Sequence, residues 1–579
     1  MVFSAPSWVP PMPHVPDTSI FEFMFDEKYG RASFDTSLPP YICGVSGTVV
    51  SARELKTRVE SLARGLASEL GWKVNEGSAL DKVVGIFALN TIDIPTLTWA
   101  VHRLNGVCAP VNSAFTAAEL AHHLNAAGAK VIITVLPLVK VAQEAAKKIG
   151  IPEYRIYICD MPGPNGLDAL GDHARFTTIG DLMKKGTTMP DIETLQWNPG
   201  RSKQQVAFLS HSSGTSGPPK IAMITHANII ANVIQMTLFE QKGRGGPSIR
   251  ETVLGILPHS HIYGVVMISH LSTFRGDSII VLPKFDMAML LESVTRYKIK
   301  ALNLVPPIIV AMSKNIGLLQ QYDLSSVCTV VSGGAPLSQE TIARFDAAYP
   351  HWIFRQAYGL TEVAACACHT SAHDPWQGSS GSVVTGCEVK LVAKDGKEIV
   401  AQNTAGEIWV KSPSNILGYL GDHAATKETF HEDGDERWLK TGDIGLFKQS
   451  SSNTEHIFIV DRVKELIKVK GFQVVPAELE NVLLTHPSVV DCAVIGVPDS
   501  HRGEAPRAYV QRSKGTMGGP EDTLAEELDL FMKGRLARYK WLRGGIVFVD
   551  SIPKSPSGKI LRRILRRQAA AEGVATAKL

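Results

Sequence analysis

The stretch "ELAHHLNAAGAKVIITVL" (119–136) decides the fold, because it joins the two periods from which a layered domain is built. Residues 119–130 read as a helix ending near Gly128, where a glycine can take the left-handed turn that stops it. Residues 131–136 then form a short apolar run rich in β-branched side chains, as a buried strand does. A similar run, "VVGIFAL" (83–89), lies upstream. Before it, Leu55, Val59, Leu62, Leu66 and Leu70 recur at helical spacing behind Ser51 as a cap. Strand and helix alternate, which predicts an α/β domain with parallel strands.

The alternation resumes downstream. "RETVLGILP" (250–258), "ALNLVPP" (301–307) and "CTVVSGGAP" (328–336) read as strands, and "MAMLLESVTRYK" (287–298) as a helix. From about 380 to 447 the texture changes to short strands such as "CEVKLV", "GEIWVKS" and "IGLF", a β-rich subdomain. A polar turn at 450–455 and the strand "IFIVDR" (457–462) precede a shorter segment with strands at 492–498 and 545–550. The expected architecture is therefore α/β. A large N-terminal domain (1–460) has parallel α/β layers and a β-rich subdomain. A small mobile α+β C-terminal domain (461–579) follows, with its boundary near Asp461 to Lys464. "MGGPED" (517–522) reads as a flexible turn, and the basic end of the chain as a solvated helix leading to a mobile tail.

Composition narrows the function classes. The chain has 579 residues, too many for one ordinary core. A formal net charge of +3 offers no basic field for nucleic acid. No apolar run reaches the roughly 18 residues of a membrane span. The stretch "LVPPIIVAM" (304–312) is short and interrupted by proline, and the N-terminus lacks the pattern of a secretory signal. Eight scattered cysteines suggest reduced thiols. Cys366, Cys368, His369 and His373 lack a zinc-site spacing and read as small buried residues beside a pocket.

The chemistry centres on "SSGTSGPPK" (212–220), which follows the strand-like "QQVAFLSH". Gly214 and Gly217 allow turns that aim several N–H groups at one anion, while Lys220 adds charge. It is no Walker loop, since Pro218 and Pro219 separate Gly217 from Lys220. Alone, the stretch leaves a phosphate grip and a polar surface turn both open. Three distant segments add context. "QAYGLTE" (356–362) ends in Glu362, a carboxylate suited to Mg²⁺ on phosphate oxygens. "LKTGD" (439–443) ends in Asp443, which can bind ribose hydroxyls, and "SPSGK" (555–559) presents Lys559 from a glycine turn.

This ordered set, together with "LPHSHIYG", "SGGAPL", "GEIWVKS", "GYL" and "DRVKELIKVKGFQVVPAELE", resembles the adenylate-forming (ANL) enzymes from about residue 20 to 567. Within them it is most similar to acyl-CoA ligases of the 4-coumarate-CoA ligase branch and to the peroxisomal phenylacetyl-CoA ligases of fungi. The resemblance implies two steps. A carboxylate attacks the α-phosphate of ATP to give acyl-adenylate and pyrophosphate, and coenzyme A then takes the acyl group and releases AMP. It implies that Ser212, Ser213, Gly214, Thr215, Ser216 and Lys220 hold the triphosphate, and that Glu362 binds Mg²⁺. Gly334, Gln356, Ala357 and Thr361 line the adenylate site, with the Tyr358 ring against adenine. Asp443 and Arg462 hold the ribose, and Lys468 and Gln473 lie near the adenylate. Lys559 bridges carboxylate and ATP, and His261 sits where the two meet; with Thr215 and Glu362 they form the catalytic group. Tyr263, Met267, Gly333, Gly359, Cys366 and Ala367, with Gly334 and Ala357, are the expected acyl pocket. Lys284, Lys470 and Gly471 match coenzyme A positions, and Lys464 matches a hinge about which the small domain rotates between half-reactions.

Two positions depart from the family pattern. Ile221 stands where glycine often follows the loop lysine, and Ala357 replaces a usual glycine beside the acyl group. The expected activity is an AMP-forming acyl-CoA ligase for an aryl-alkanoic (phenylacetate- or cinnamate-like) or medium-chain acid. A luciferase-like or stand-alone adenylating enzyme, a medium- or long-chain fatty acyl-CoA synthetase and an idle nucleotide-binding homologue are the alternatives. Ala577, Lys578 and Leu579 resemble the peroxisomal address, so an import receptor is an expected partner beside the acid, ATP and coenzyme A.

Overall fold

The strand Val83–Phe87 is buried at every position. It pairs in parallel with Val107–Pro110 on one side and Val131–Thr134 on the other. Between these last two runs the helix Ala117–Ala127, opened by a Thr116–Glu119 capping box and closed by Gly128 at φ 70°. The helix Ala52–Leu70 has the same construction, with Ser51 and Glu54 as its box and Gly71 as its stop. The alternation read from the sequence is thus present as right-sized elements around one strand. The computed structural model describes residues 1–162, 176–212, 220–401, 403–462, 465–470, 472–499, 502–513, 520–555 and 558–576.

Among the described residues the chain builds four sheets. Two are α/β sheets with parallel centres. One runs in the order Gly418–Tyr419, Lys220–Thr225, Val206–Ser212, Val107–Pro110, Val83–Phe87, Val131–Thr134, Ile156–Ile158. The other centres on Thr252–Gly255, Ala301–Leu304, Thr329–Ser332 and Ile353–Tyr358, which pair in parallel with one another. The largest apolar cluster spans both, with Trp99, Phe208, Phe239 and Tyr41 fully buried in it. The third, antiparallel sheet is the β-rich region, and the fourth uses strands from Ile467 onward. None of the described helices is long and apolar enough to cross a membrane.

Several elements differ from the sequence expectation. "IGLF" is the end of one strand, Glu436–Gln449, which runs unbroken through the "LKTGD" segment because Gly442 (φ 71°) and a register shift at Ile444/Gly445 absorb the irregularity. The prolines at 306 and 307 start a helix, Pro306–Ser313, rather than interrupt one, since the first helical position needs no N–H. Glu521 and Asp522 open the helix Glu521–Lys533, where two acidic side chains suit the N-terminal dipole; residues 517–519 lie outside the described part. The first residues are structured too: Val2–Phe3 pairs with Glu388–Val392, and Phe3 stacks on Phe447 at 3.7 Å. A Ser379–His456–Asp374 chain (2.9 and 3.1 Å) is buried between strands, with Ser379 also accepting the Gly381 N–H, and ties the segment 374–381 to the strand Glu455–Arg462.

Buried histidines run through the core. His226 Nδ1 accepts the Ile20 N–H (3.0 Å), His270 Nε2 accepts the Trp99 indole N–H (3.1 Å), and His102 Nε2 lies 3.1 Å from the Ala207 carbonyl. Burial pushes His102 down to about 3, His259 and His270 to about 4, and His226 well below its ordinary value. The unfolded chain therefore binds protons below about pH 6.5 that the folded chain refuses. Stability is full above that pH and falls as pH drops toward 4, by about 1.4 kcal/mol per pH unit for each such group. Asp461, pushed up to about 6 by burial, opposes this by one proton. The melting temperature should fall progressively between pH 7 and 5 in calorimetry, with net proton uptake on unfolding; a flat profile would contradict neutral buried imidazoles.

Candidate functional site

The strands Val206–Ser212 and Lys220–Thr225 are antiparallel partners, and their register sets Ser212 directly opposite Lys220. The predicted phosphate ligands Ser213, Gly214, Thr215 and Ser216 lie between them, outside the described residues. A Walker loop hands a strand to a helix; this segment instead links two paired strands. The short strand Gly418–Tyr419 adds to the outside of the hairpin, with Tyr419 opposite Ala222. Side chains two apart share a face, so Tyr419 and Lys220 are diagonal neighbours. The Lys220 ammonium lies 5.0 Å from the Tyr419 ring centre.

Glu362 reaches the same place from a single 3₁₀ turn, Thr361–Val363. The chain after it doubles back through Ala364 (φ 48°) and Ala365 (φ 117°), left-handed conformations that cost an alanine on the order of 1 kcal/mol or more each. Gly359 makes that return possible, since a Cβ there would stand 1.6 Å from the Ala365 carbonyl oxygen. The Glu362 carbonyl accepts the Ile416 N–H at 3.0 Å, which ties the turn to the Gly418–Tyr419 strand. The Glu362 side chain is held on one oxygen: Oε1 accepts both the Ser212 hydroxyl (2.5 Å) and the Tyr419 hydroxyl (2.8 Å). Among the described residues Oε2 accepts no hydrogen bond, and Glu362 lines the cavity described next.

These groups open on one cavity of about 430 Å³. Its polar wall includes Ser212, Lys220, Thr361, Glu362, Arg462 and Lys559. Its less polar wall is Tyr263, Met267, Gly333, Gly334, Ala357, Gly359 and Cys366. Tyr263 and Met267 stand four apart on a π-helical segment, Tyr263–His270. Such segments are rare and concentrate at functional sites. The Tyr263 ring packs against Gly333, where a Cβ would come within 2.7 Å of it. Of the four residues read as small buried ones beside a pocket, Cys366, Cys368 and His369 are buried and His373 is exposed; Cys366 Sγ donates to the Cys368 carbonyl (3.3 Å), while His369 faces Glu240 (3.7 Å).

Lys559 comes from the fourth sheet's domain. It stands on a tight turn closed by its N–H to Ser555 Oγ (3.1 Å) and the Ser555 N–H to its carbonyl (2.8 Å). Gly558, at φ 80°, abuts Pro307 of the large domain: a Cβ there would meet the proline ring at 2.5 Å. Burial, and then Arg462, push the Lys559 ammonium down to about 8, against the pull of Glu465, Asp443 and Glu362. Burial, Lys559 and His211 push His261 down to about 4. His261 Nδ1 accepts the Tyr263 N–H (3.3 Å), so the neutral ring carries its proton on Nε2. Arg462 Nε pairs with Asp443 Oδ1 (3.1 Å), and the Tyr358 hydroxyl donates to Asp443 Oδ2 (2.9 Å).

The remaining predicted residues stand around this cavity rather than on it. Tyr358, Asp443, Gln356 and Ala367 are buried behind its wall, and Gln356 Oε1 accepts the Leu337 N–H. Lys284, Lys468 and Lys470 are exposed and do not line it. Lys464, Gly471, Ala577, Lys578 and Leu579 lie outside the described residues, as does the Gln473 side chain. Sequence reasoning gave no role to Tyr419, Glu407, Glu428, Thr429, Lys440 or Thr441, all of which line the cavity. The quoted motifs "GYL", "GEIWVKS" and "LKTGD" contain four of them, which was the available signal.

Comparison with known proteins agrees with this geometry. Residues 37–420 match the AMP-binding enzyme family, and residues 478–559 match the AMP-binding enzyme C-terminal domain. The acyl-CoA ligase easD of Emericella nidulans is 42% identical over 574 residues, covering 98% of this chain and 100% of that protein. The acyl-CoA ligase cm3C of Cordyceps militaris is also 42% identical, covering 98% and 91%. Among solved structures, ATP-bound MatB from Rhodopseudomonas palustris superposes with a TM-score of 0.77 at 25% identity, covering 95% of this chain and 98% of that one.

Proposed function

Because the chain belongs to the AMP-binding enzyme family and is an AMP-forming acyl-CoA ligase, we propose how its cavity divides the labour between two half-reactions. In the first, a carboxylate oxygen bonds to the α-phosphorus of ATP and the bond to pyrophosphate breaks. Four negative charges and a carboxylate must approach one another, so neutralisation dominates the barrier. Lys220 faces the triphosphate and Lys559 bridges the α-phosphate and the attacking carboxylate. His261 donates Nε2–H where the two meet, and Asp443 with Arg462 takes the ribose. Mg²⁺ suits Oε2 of Glu362, since this ion favours one or two carboxylates plus phosphate and water; it would supply charge neutralisation on the phosphates. In the second half-reaction the coenzyme A sulfur bonds to the acyl carbon, AMP leaves, and the thiol proton passes to solvent.

The observation that carries this reading is the meeting of Lys559 from the small domain with Lys220, Glu362 and His261 from the large one around a single cavity. Changing Lys559 to Ala should reduce acid-dependent ATP–pyrophosphate exchange by about 10²–10³-fold. It should leave thioester formation from supplied acyl-adenylate within a few-fold of the parent. Equal loss of both halves would contradict the assignment, and no exchange with any acid in the parent would overturn the reading itself.

We further propose an aryl-alkanoic or medium-chain acid as substrate. Tyr263, Met267 and Cys366 make an apolar wall, and a cavity of about 430 Å³ that also receives a nucleotide favours a modest acyl group. AMP release over phenylacetate, cinnamates and C6–C12 acids should peak within that panel; a clear preference for acetate or for C16 and longer acids would refute it. The rotation of the small domain about Lys464, the coenzyme A roles of Lys284, Lys470 and Gly471, and a peroxisomal address at Ala577–Lys578–Leu579 complete the proposal. Where Leu579 is the free end, a tag added after it should keep the protein out of peroxisomes; entry of the tagged form would dismiss the address.

A further inference from the structure

We propose that Tyr419 is a positioning residue that holds Lys220 and Glu362 apart, each by a different part of its side chain, so that both charges stay available to a metal–triphosphate. The inference rests on the adenylation reading above and adds to it a residue to which that reading gives no role. A half-buried lysine and carboxylate on one cavity wall attract each other strongly, because the low dielectric there weakens screening. Left to themselves they would close into an ion pair, satisfied and of little use to phosphate. They do not pair here. The Tyr419 ring takes the Lys220 ammonium at 5.0 Å, and its hydroxyl donates to Glu362 Oε1 at 2.8 Å.

The placement follows from backbone register. Tyr419 stands opposite Ala222 on the hairpin, which brings its ring diagonally over Lys220. Its own N–H is fixed by Thr426 Oγ1 (2.9 Å), and the neighbouring Ile416 N–H binds the Glu362 carbonyl (3.0 Å). The side chain is therefore anchored at both ends of its reach. The Ser212 hydroxyl occupies the same Glu362 oxygen. With Oε1 doubly engaged, the carboxylate cannot rotate without losing two hydrogen bonds, and Oε2 keeps one direction.

Two substitutions separate the two functions. Tyr419→Phe keeps the ring beside Lys220 and removes the hydroxyl from Glu362; Tyr419→Leu removes both. The probe is Mn²⁺ with α,β-methylene-ATP, read by electron paramagnetic resonance for bound metal and by calorimetry for nucleotide. In Tyr419→Phe the affinity for Mn²⁺ in the ternary complex should drop about 10-fold, as for lost outer-sphere support, while metal-free nucleotide binds within about 2-fold of the parent. In Tyr419→Leu the metal-free nucleotide should also weaken, by roughly 3–10-fold, reflecting the lost cation–π contact and a lysine freed to pair with Glu362. Melting temperatures of both variants establish that they are folded. Unchanged Mn²⁺ affinity in Tyr419→Phe, or equal nucleotide binding in Tyr419→Leu, would overturn the proposal even if the parent performs exchange normally. Absence of acid-dependent exchange in the parent would instead strike the adenylation reading.

Discussion

The carboxylate of Glu362 is the point to which the rest of the site is referred. Three segments far apart in sequence converge on it: Ser212 from the hairpin, Tyr419 from the edge strand and the strained turn that carries Glu362 itself. Each link constrains the others. The register of Ser212 with Lys220 sets the mouth of the loop, the pairing of Tyr419 with Ala222 sets the outer wall, and the left-handed alanines set how far Glu362 projects. Backbone strain of this kind persists only where surrounding contacts over-determine it. Here the Ile416 hydrogen bond and the close approach of Gly359 to Ala365 supply that.

The second constraint is the burial of positive charge. Lys559 and Arg462 line one cavity, and Arg462 adds to burial in making Lys559 costlier to charge. Asp443 relieves Arg462 through a direct pair, and Tyr358 fixes Asp443 from behind. Lys559 has weaker compensation and sits near 8. A triphosphate and a carboxylate would supply the missing negative charge and restore it. The neutral His261 near it accepts the Tyr263 N–H on Nδ1 and so keeps its proton on Nε2 without adding a third cation.

Much of this was legible in the sequence for a physical reason. Strand and helix periods, capping boxes and stop glycines are local, so elements such as Ala52–Leu70 and Ala117–Ala127 could be read directly. The chemical groups Lys220, Glu362, His261, Arg462 and Lys559 were recognisable as a set because their motifs recur in order. What escaped depends on register or on unusual backbone. Tyr419 owes its place to a strand pairing across nearly two hundred residues, and three letters, "GYL", do not encode that. Alanine is an ordinary residue, so nothing marks Ala364 and Ala365 as left-handed. The π-helical stretch at Tyr263–His270 looks like any apolar helix. The expected short strand "IGLF" became part of a long one because a glycine and a bulge are compatible with continuation as well as with a break.

The electrostatics also suggest why one cavity can serve two reactions in succession. Lys559 stands on a turn that touches the large domain through Gly558 and Pro307, a close contact of small atoms. On the proposed adenylation, negative charge in the cavity would favour its insertion. Before pyrophosphate departs, the triphosphate and the attacking carboxylate attract the ammonium. Afterwards the carboxylate has become a neutral mixed anhydride and most of the phosphate charge has gone. The desolvation that lowers Lys559 then has less to oppose it, and returning the lysine to water becomes favourable. On the proposed rotation about Lys464, completion of the first step is thus itself the change that withdraws the lysine and exposes the acyl carbon to the thiol.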